Sequence, residues 1–192
     1  MRFTPWTTAH TTVEVSDYAR FDMTLPDILF ETEHLICRPF EASDFEDLLA
    51  LQSDEQVYQY VGNGQPLSSD QVRLWIDRSR KNIEINGFGT GAIVYKGQND
   101  LIGWAGYVQP PEQETEIIYG LSEAEWGKGL GTEIVQGLVE AARGRYQIWP
   151  LHASVDPENS RSISLLKKLG FELFAKTKDE DGLDTDIYQL NA

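Results

Sequence analysis

Between Glu125 and Glu133 the chain reads Glu-Trp-Gly-Lys-Gly-Leu-Gly-Thr-Glu, with glycines at alternate positions 127, 129 and 131. The run follows a strand-like stretch and leads directly into an amphipathic helix pattern, so it fixes a strand-to-helix junction. Glycine has no Cβ and takes positive φ freely, which lets successive amide N–H groups converge on an anion. A helix starting near Gly131 adds roughly half a positive charge at that end, favouring an anion by about 0.3–1 kcal/mol. The same glycines also suit a tight turn that holds no ligand.

Composition narrows the class. The 192 residues are 41% hydrophobic, enough to bury one sizeable core, which favours a single domain. No apolar run approaches the ~18 residues of a membrane span, and the first thirty residues lack the pattern of a secretory leader, so a cytoplasmic protein is expected. The 16 basic and 31 acidic side chains leave a formal charge of -15. That field repels phosphate polymers and anionic lipid, so neither nucleic acid nor membrane is expected as a partner. Cationic or amine-bearing substrates suit it better. Cys37 is the sole cysteine and reads as core filling at a strand position. His10, His34 and His152 lie too far apart for a local metal motif, and no metal is expected.

Along the chain, residues 1–33 read as an N-terminal extension of low regularity, with Pro5, Pro26 and a short alternation at Val13 and Val15. Residues 34–192 form one alternating α/β unit. Leu35 to Arg38 predicts a strand, and Ser43 with Glu46 predicts a capping box opening a helix that carries Phe45, Leu48 and Leu49. Ser68 and Gln71 stand in the same relation before a second helix with Val72, Trp75, Ile76 and Ile83 on one stripe. Three strands follow at Gly91 to Lys96, Leu101 to Val108 and Thr115 to Leu121, spaced as an antiparallel meander. After the glycine run, Ile134, Leu138, Ala141 and Ala142 recur at helical spacing. Leu151 to Val155 predicts a buried strand, then a helix from Asn159 to a left-handed stop at Gly170. Glu172 to Thr177 and Thr185 to Leu190 predict a closing hairpin.

The order strand, glycine loop, helix, strand, with Asn159-Ser160-Arg161-Ser162 and later Gly170-Phe171, resembles the GNAT acetyltransferases. Their loop pattern, Gln/Arg-x-x-Gly-x-Gly/Ala, is matched by Trp126-Gly127-Lys128-Gly129-Leu130-Gly131 except that Trp126 replaces the polar first residue. Their Asn-x-x-Ser/Ala pattern ending in Gly-Phe is matched by Asn159, Ser162, Gly170 and Phe171. The likeness runs from about His34 to Leu190 and looks most like the branch that acetylates ribosomal-protein N-termini. It implies a single-domain α/β fold with a mixed, mostly antiparallel central sheet flanked by helices.

The resemblance also assigns parts. Acetyl-CoA is the implied co-substrate, its pyrophosphate held by the loop from Trp126 through Gly127, Lys128, Gly129, Leu130, Gly131 and Thr132, with Asn159 as a further contact. Its pantetheine arm would lie along Glu116-Ile117-Ile118-Tyr119-Gly120-Leu121, where a main-chain N–H near Gly120 or Leu121 would meet the thioester oxygen. Glu116 is the implied base, with a solvated edge carboxylate as the alternative. Many relatives place a tyrosine acid where this chain has Leu166, so Ser162 is the implied substitute as acid to the leaving thiolate. Asn159 also stands where a helix N-cap belongs.

The expected activity is direct transfer of acetyl from acetyl-CoA to a primary amine within a ternary complex. The leading acceptor is a protein N-terminal α-amine. A small amine (antibiotic, amino acid or polyamine) is the alternative, and a non-catalytic acetyl-CoA-binding module is the reading from another class. Glu114, Glu116, Glu123 and Glu125 are expected to make the mouth negative, with Gly62 to Pro66 and the strand end near Val108 as walls. A homodimer is left open. The glycine spacing excludes Gly-x-Gly-x-x-Gly, and no Gly-x-x-x-x-Gly-Lys-Ser/Thr is present.

Overall fold

The computed structural model describes residues 25–109, 114–179 and 181–191. The readings that fell on Pro5, His10, Val13 and Val15 lie outside them. Among the described residues eight strands form one sheet in the order β1-β2-β3-β4-β5-β6-β8-β7. These are β1 Phe30–Glu31, β2 Leu35–Arg38, β3 Thr90–Tyr95, β4 Gly103–Val108, β5 Glu116–Leu121, β6 Leu151–Val155, β7 Glu172–Lys178 and β8 Asp184–Leu190. The α-helices among the described residues are α1 Phe45–Ser53, α2 Glu55–Tyr58, α3 Ser69–Asn86, α4 Leu130–Ala141 and α5 Ser160–Lys168. This is the α/β fold with a mixed, mostly antiparallel sheet that the sequence predicts.

Two side chains of β4 locate the layers. Trp104 packs edge-on against Trp75 of α3, with ring centroids 5.5 Å apart. Tyr107 donates its hydroxyl to the Leu138 carbonyl of α4. Residues an odd number apart on a strand point to opposite faces, so α3 and α4 cover opposite sides of the sheet. Across the antiparallel ladder Tyr107 pairs with Ile117 and Ala105 with Tyr119, which puts Tyr119 on the α4 side. There it meets Ser162 of α5.

The meander β3–β4–β5 is antiparallel as expected. β5 and β6 run parallel, and their ladder consists of one pair, Glu116 with His152. Beyond that pair the strands part, leaving alternate backbone groups of β5 facing a gap instead of a neighbour.

Helix ends follow local chemistry. The capping box of α3 forms as predicted: Gln71 donates its N–H to Ser68 Oγ at 3.3 Å, and the Gln71 side chain accepts from the Ser68 N–H at 2.9 Å. The predicted box of Ser43 with Glu46 does not form. Instead the buried Asp44 carboxylate accepts the Glu41 N–H at 2.7 Å and both guanidinium arms of Arg38, at 2.7 and 2.8 Å. A bidentate charged partner outcompetes a surface serine for that turn.

The sheet begins inside the stretch read as extension. Phe30 pairs with Cys37 and is buried, while its ring lies 2.9 Å from where a Cβ on Gly137 would stand. Thr32 Oγ1 donates to Glu133 of α4 at 2.5 Å, and the His34 N–H donates to the same oxygen at 2.8 Å. A two-residue strand carries no periodicity, so it leaves no trace in the sequence pattern. Cys37 is fully buried in the core, its thiol pushed up by burial and donating weakly to the Ala105 carbonyl at 3.5 Å.

Candidate active site

Where β5 and β6 part, a cavity of about 660 Å³ opens. Tyr119, Gly120 and Leu121 form its floor, and the glycine loop with the head of α4 forms one flank. Asn159, Arg161, Ser162 and Leu165 of the α5 region form a second flank. The third flank is Gln56, Val57, Tyr60, Val61 and Trp104. Ten residues assigned from the sequence therefore meet here: Gly120, Leu121, Trp126, Gly127, Gly129, Leu130, Gly131, Thr132, Asn159 and Ser162. Lys128 and Glu116 are not among the lining residues.

The three loop glycines serve two purposes. Gly127 and Gly129 take φ of 76° and 85°, and a Cβ on either would meet nothing within 4 Å. Open space above a left-handed backbone is what an anion cradle requires. Gly129 is also the N-cap of α4 and supplies no side chain to cap it, so the first amides of the helix are left for a ligand or water. Gly131 differs: a Cβ there would stand 3.1 Å from Leu165 Cδ1, so its bareness also lets α5 pack against α4. Trp126, at the position where the family pattern has a polar residue, donates its indole N–H to the Leu121 carbonyl at 3.0 Å and stitches the loop to the end of β5.

The expected acidic mouth is not assembled. Glu114 and Glu116 stand at the start of β5, while Glu123 and Glu125 lie beyond its end, a span of about 16 Å at ~3.3 Å per residue. Glu125 does line the cavity, but Tyr95 donates to it at 2.5 Å and Lys128 Nζ lies 3.0 Å away. The Tyr95 hydrogen bond, helped by Lys128, holds its carboxyl below the usual range. The other charged lining group, the Arg161 guanidinium, lies over the Trp126 ring at 4.5 Å. Neither expected wall lines the cavity: residues 62–66 stand outside it, with the preceding Val61 in their place, and Val108 is buried beside Glu116.

Glu116 is 5% exposed, not a solvated edge carboxylate. Burial raises its pKa, opposed by a hydrogen bond from Ser154 Oγ at 2.8 Å. It shares a strand face with Gly120 but stands four residues earlier, about 13 Å along the strand. His152, its ladder partner, packs on Phe174 with ring centroids 5.4 Å apart, and burial lowers its pKa.

Asn159 caps α5 by accepting the Ser162 N–H at 3.1 Å while also lining the cavity, so capping and contact coincide. Leu166 is fully buried and brings no acid to the site. The Ser162 hydroxyl instead meets Tyr119 Oη at 2.8 Å. Tyr119 was within reach of strand alternation, which points it away from the Glu116 face. The flank from α2 was not, because a four-residue helix shows no stripe. Among the described residues no group of three or more His, Cys, Asp or Glu converges to hold a metal ion. No described helix is long and apolar enough to cross a membrane.

A parted parallel strand pair with a bare-backbone loop at the head of the adjoining helix makes a cleft for an extended ligand that carries an anionic group. The model of the acetyltransferase (GNAT) domain matches residues 34–172. The chain belongs to the GNAT family of N-acetyltransferases, enzymes that use acetyl-CoA. An N-acetyltransferase of Bacillus licheniformis named p20, itself uncharacterised, is 29% identical over 170 residues, covering 83% of this chain and 93% of that protein. An acetyltransferase structure from Agrobacterium tumefaciens superposes with a TM-score of 0.76 at 21% identity, covering 92% of this chain and all of that one. A Salmonella typhimurium acetyltransferase, described as modifying the N-terminal serine of ribosomal protein L7/L12, gives a TM-score of 0.69 at 19% identity, with coverage of 88% and 98%. At these identities the two structures speak to the fold alone.

Proposed function

We propose that this enzyme binds acetyl-CoA in the β5–β6 gap and acetylates the α-amine of a protein N-terminus by direct attack in a ternary complex. The open space at Gly127 and Gly129 fits a pyrophosphate, received by the uncapped amides of α4. The bound thioester would supply the acetyl group. The Ser122 N–H bonds the Ile102 carbonyl on the β4 side, so alternation turns the Leu121 N–H towards the gap, where it would bond the thioester oxygen and contribute about 10²–10³ in rate. Ser162 offers its hydroxyl to the departing sulfur.

The acceptor reading rests on one observation: Glu125, the carboxylate lining the cavity among the described residues, is already engaged by Tyr95 and Lys128. Glu116, the base we propose, is too far along the strand to touch an amine held at Gly120, so the proton must travel to it through water. Such a site suits an amine that arrives partly deprotonated. A peptide α-amine of pKa near 7.7–8.0 is free at about the 10% level at neutral pH, against under ~0.1% for lysine. The uncharged flank of Val57, Tyr60, Val61 and Trp104 supports a neutral first side chain over a polyamine.

The test is acetyl-CoA consumption over peptides with free N-termini, the same peptides N-blocked but carrying lysine, and a panel of small amines. Turnover of the free peptides alone is expected. Preference for small amines would move the enzyme to the second acceptor class, and coenzyme binding without turnover would make it a binding module.

A further inference from the structure

Tyr119 comes from β5 and Ser162 from α5, and their hydroxyl oxygens are 2.8 Å apart at the cavity wall. Ser162 is the third residue of α5, so no carbonyl within the helix lies one turn before it to take its hydroxyl. Among the described residues the partner of this hydroxyl is Tyr119, so the strand holds the serine in place. The geometry allows either hydroxyl to donate, and acidity favours the phenol. Each hydroxyl has one proton, and the phenol is the better donor of the two. Burial lifts the Tyr119 pKa to about 12, so the phenol keeps its proton across the working range.

We infer that Tyr119 is a positioning residue for acetyl transfer: by donating to Ser162 Oγ, it leaves the single Ser162 proton free to point at the leaving sulfur. This rests on the proposed role of Ser162. As the acceptor nitrogen bonds to the acetyl carbon and the carbon–sulfur bond breaks, the bonding pair passes to sulfur. The Ser162 O–H stabilises that charge by a hydrogen bond. The proton lost by the nitrogen passes through water to Glu116, the thiolate takes one back from solvent, and Tyr119 keeps its own.

The experiment is a double-mutant cycle with steady-state kinetics on Tyr119→Phe, Ser162→Ala and the pair. Tyr119→Phe preserves the ring and should lower kcat about five- to tenfold while leaving the acetyl-CoA KM unchanged. The double variant should be no slower than Ser162→Ala alone, a coupling that a merely structural tyrosine would not show. Wild-type kcat in Tyr119→Phe beside a slow Ser162→Ala, or effects that multiply, would overturn the inference while sparing the role of Ser162. A wild-type rate in Ser162→Ala would overturn that role and this inference with it. Thermal unfolding of each variant confirms that the comparison is between folded proteins.

Discussion

Trp104 and Gly120 face each other across the β4–β5 ladder, and the indole lies where any side chain at Gly120 would have to stand. The ring can occupy that space only because position 120 has no Cβ. It completes an edge-to-face run from Phe40 through Trp75, at centroid distances of 6.2 and 5.5 Å, that carries the α1–α3 side of the core to the cavity.

Gly120→Ala should therefore destabilise the fold by about 1–3 kcal/mol, the usual range for overpacking, since the obstacle is a buried aromatic ring. It should also lower activity by displacing Trp104 from the cavity wall. Chemical denaturation with intrinsic tryptophan fluorescence reads the first effect. An unchanged midpoint would mean that the ring moves aside at little cost.

The two kinds of loop glycine should separate experimentally. Gly129→Glu places a carboxylate in the open cradle and should weaken acetyl-CoA binding by at least about tenfold through charge and bulk. Gly131→Ala presses on Leu165 and should act mainly on stability. Calorimetric titration and thermal melts on both variants decide this, and equal loss of affinity would assign both glycines to the cradle.

Glu116 yields a pH prediction. Burial raises its pKa, so the folded state prefers the protonated acid. Its contribution is complete below the ordinary carboxylate pKa and is lost as pH rises through the folded value. Glu116→Gln, neutral at every pH, should thus raise the melting temperature relative to wild type at pH 8, and the difference should vanish towards pH 4. The same variant should cost little turnover with an N-terminal α-amine, under about tenfold, and more with any lysine acceptor, because only the latter depends on a base.

Because Glu125 and Arg161 leave the cavity lining near neutrality, KM for cationic and neutral acceptor peptides should respond alike to salt above physiological strength. There the Debye length of about 8 Å screens the distant acidic surface. A selective rise for the cationic peptide would restore electrostatic selection.

Most of the frame could be read from the chain because its signals are local. The Ser68–Gln71 cap, the left-handed stop at Gly170 and the alternating glycines each act within a few residues. What escaped depends on which partners side chains choose, and no local pattern names them. Arg38 claims Asp44, Phe30 finds Gly137, and Tyr119 reaches Ser162 across 43 positions. The acidic mouth failed for a related reason: four glutamates near one another in sequence were separated by the length of a strand.

A sheet whose fifth and sixth strands touch at one residue pair has an edge in its middle. The unpaired backbone groups there face no further strand among the described residues. In the proposed complex, the extended arm of the coenzyme takes that place, so the substrate is also a structural member. Loading the enzyme should tie its two halves together, slowing amide hydrogen exchange in β5 and β6 together and leaving β1 to β3 as they were.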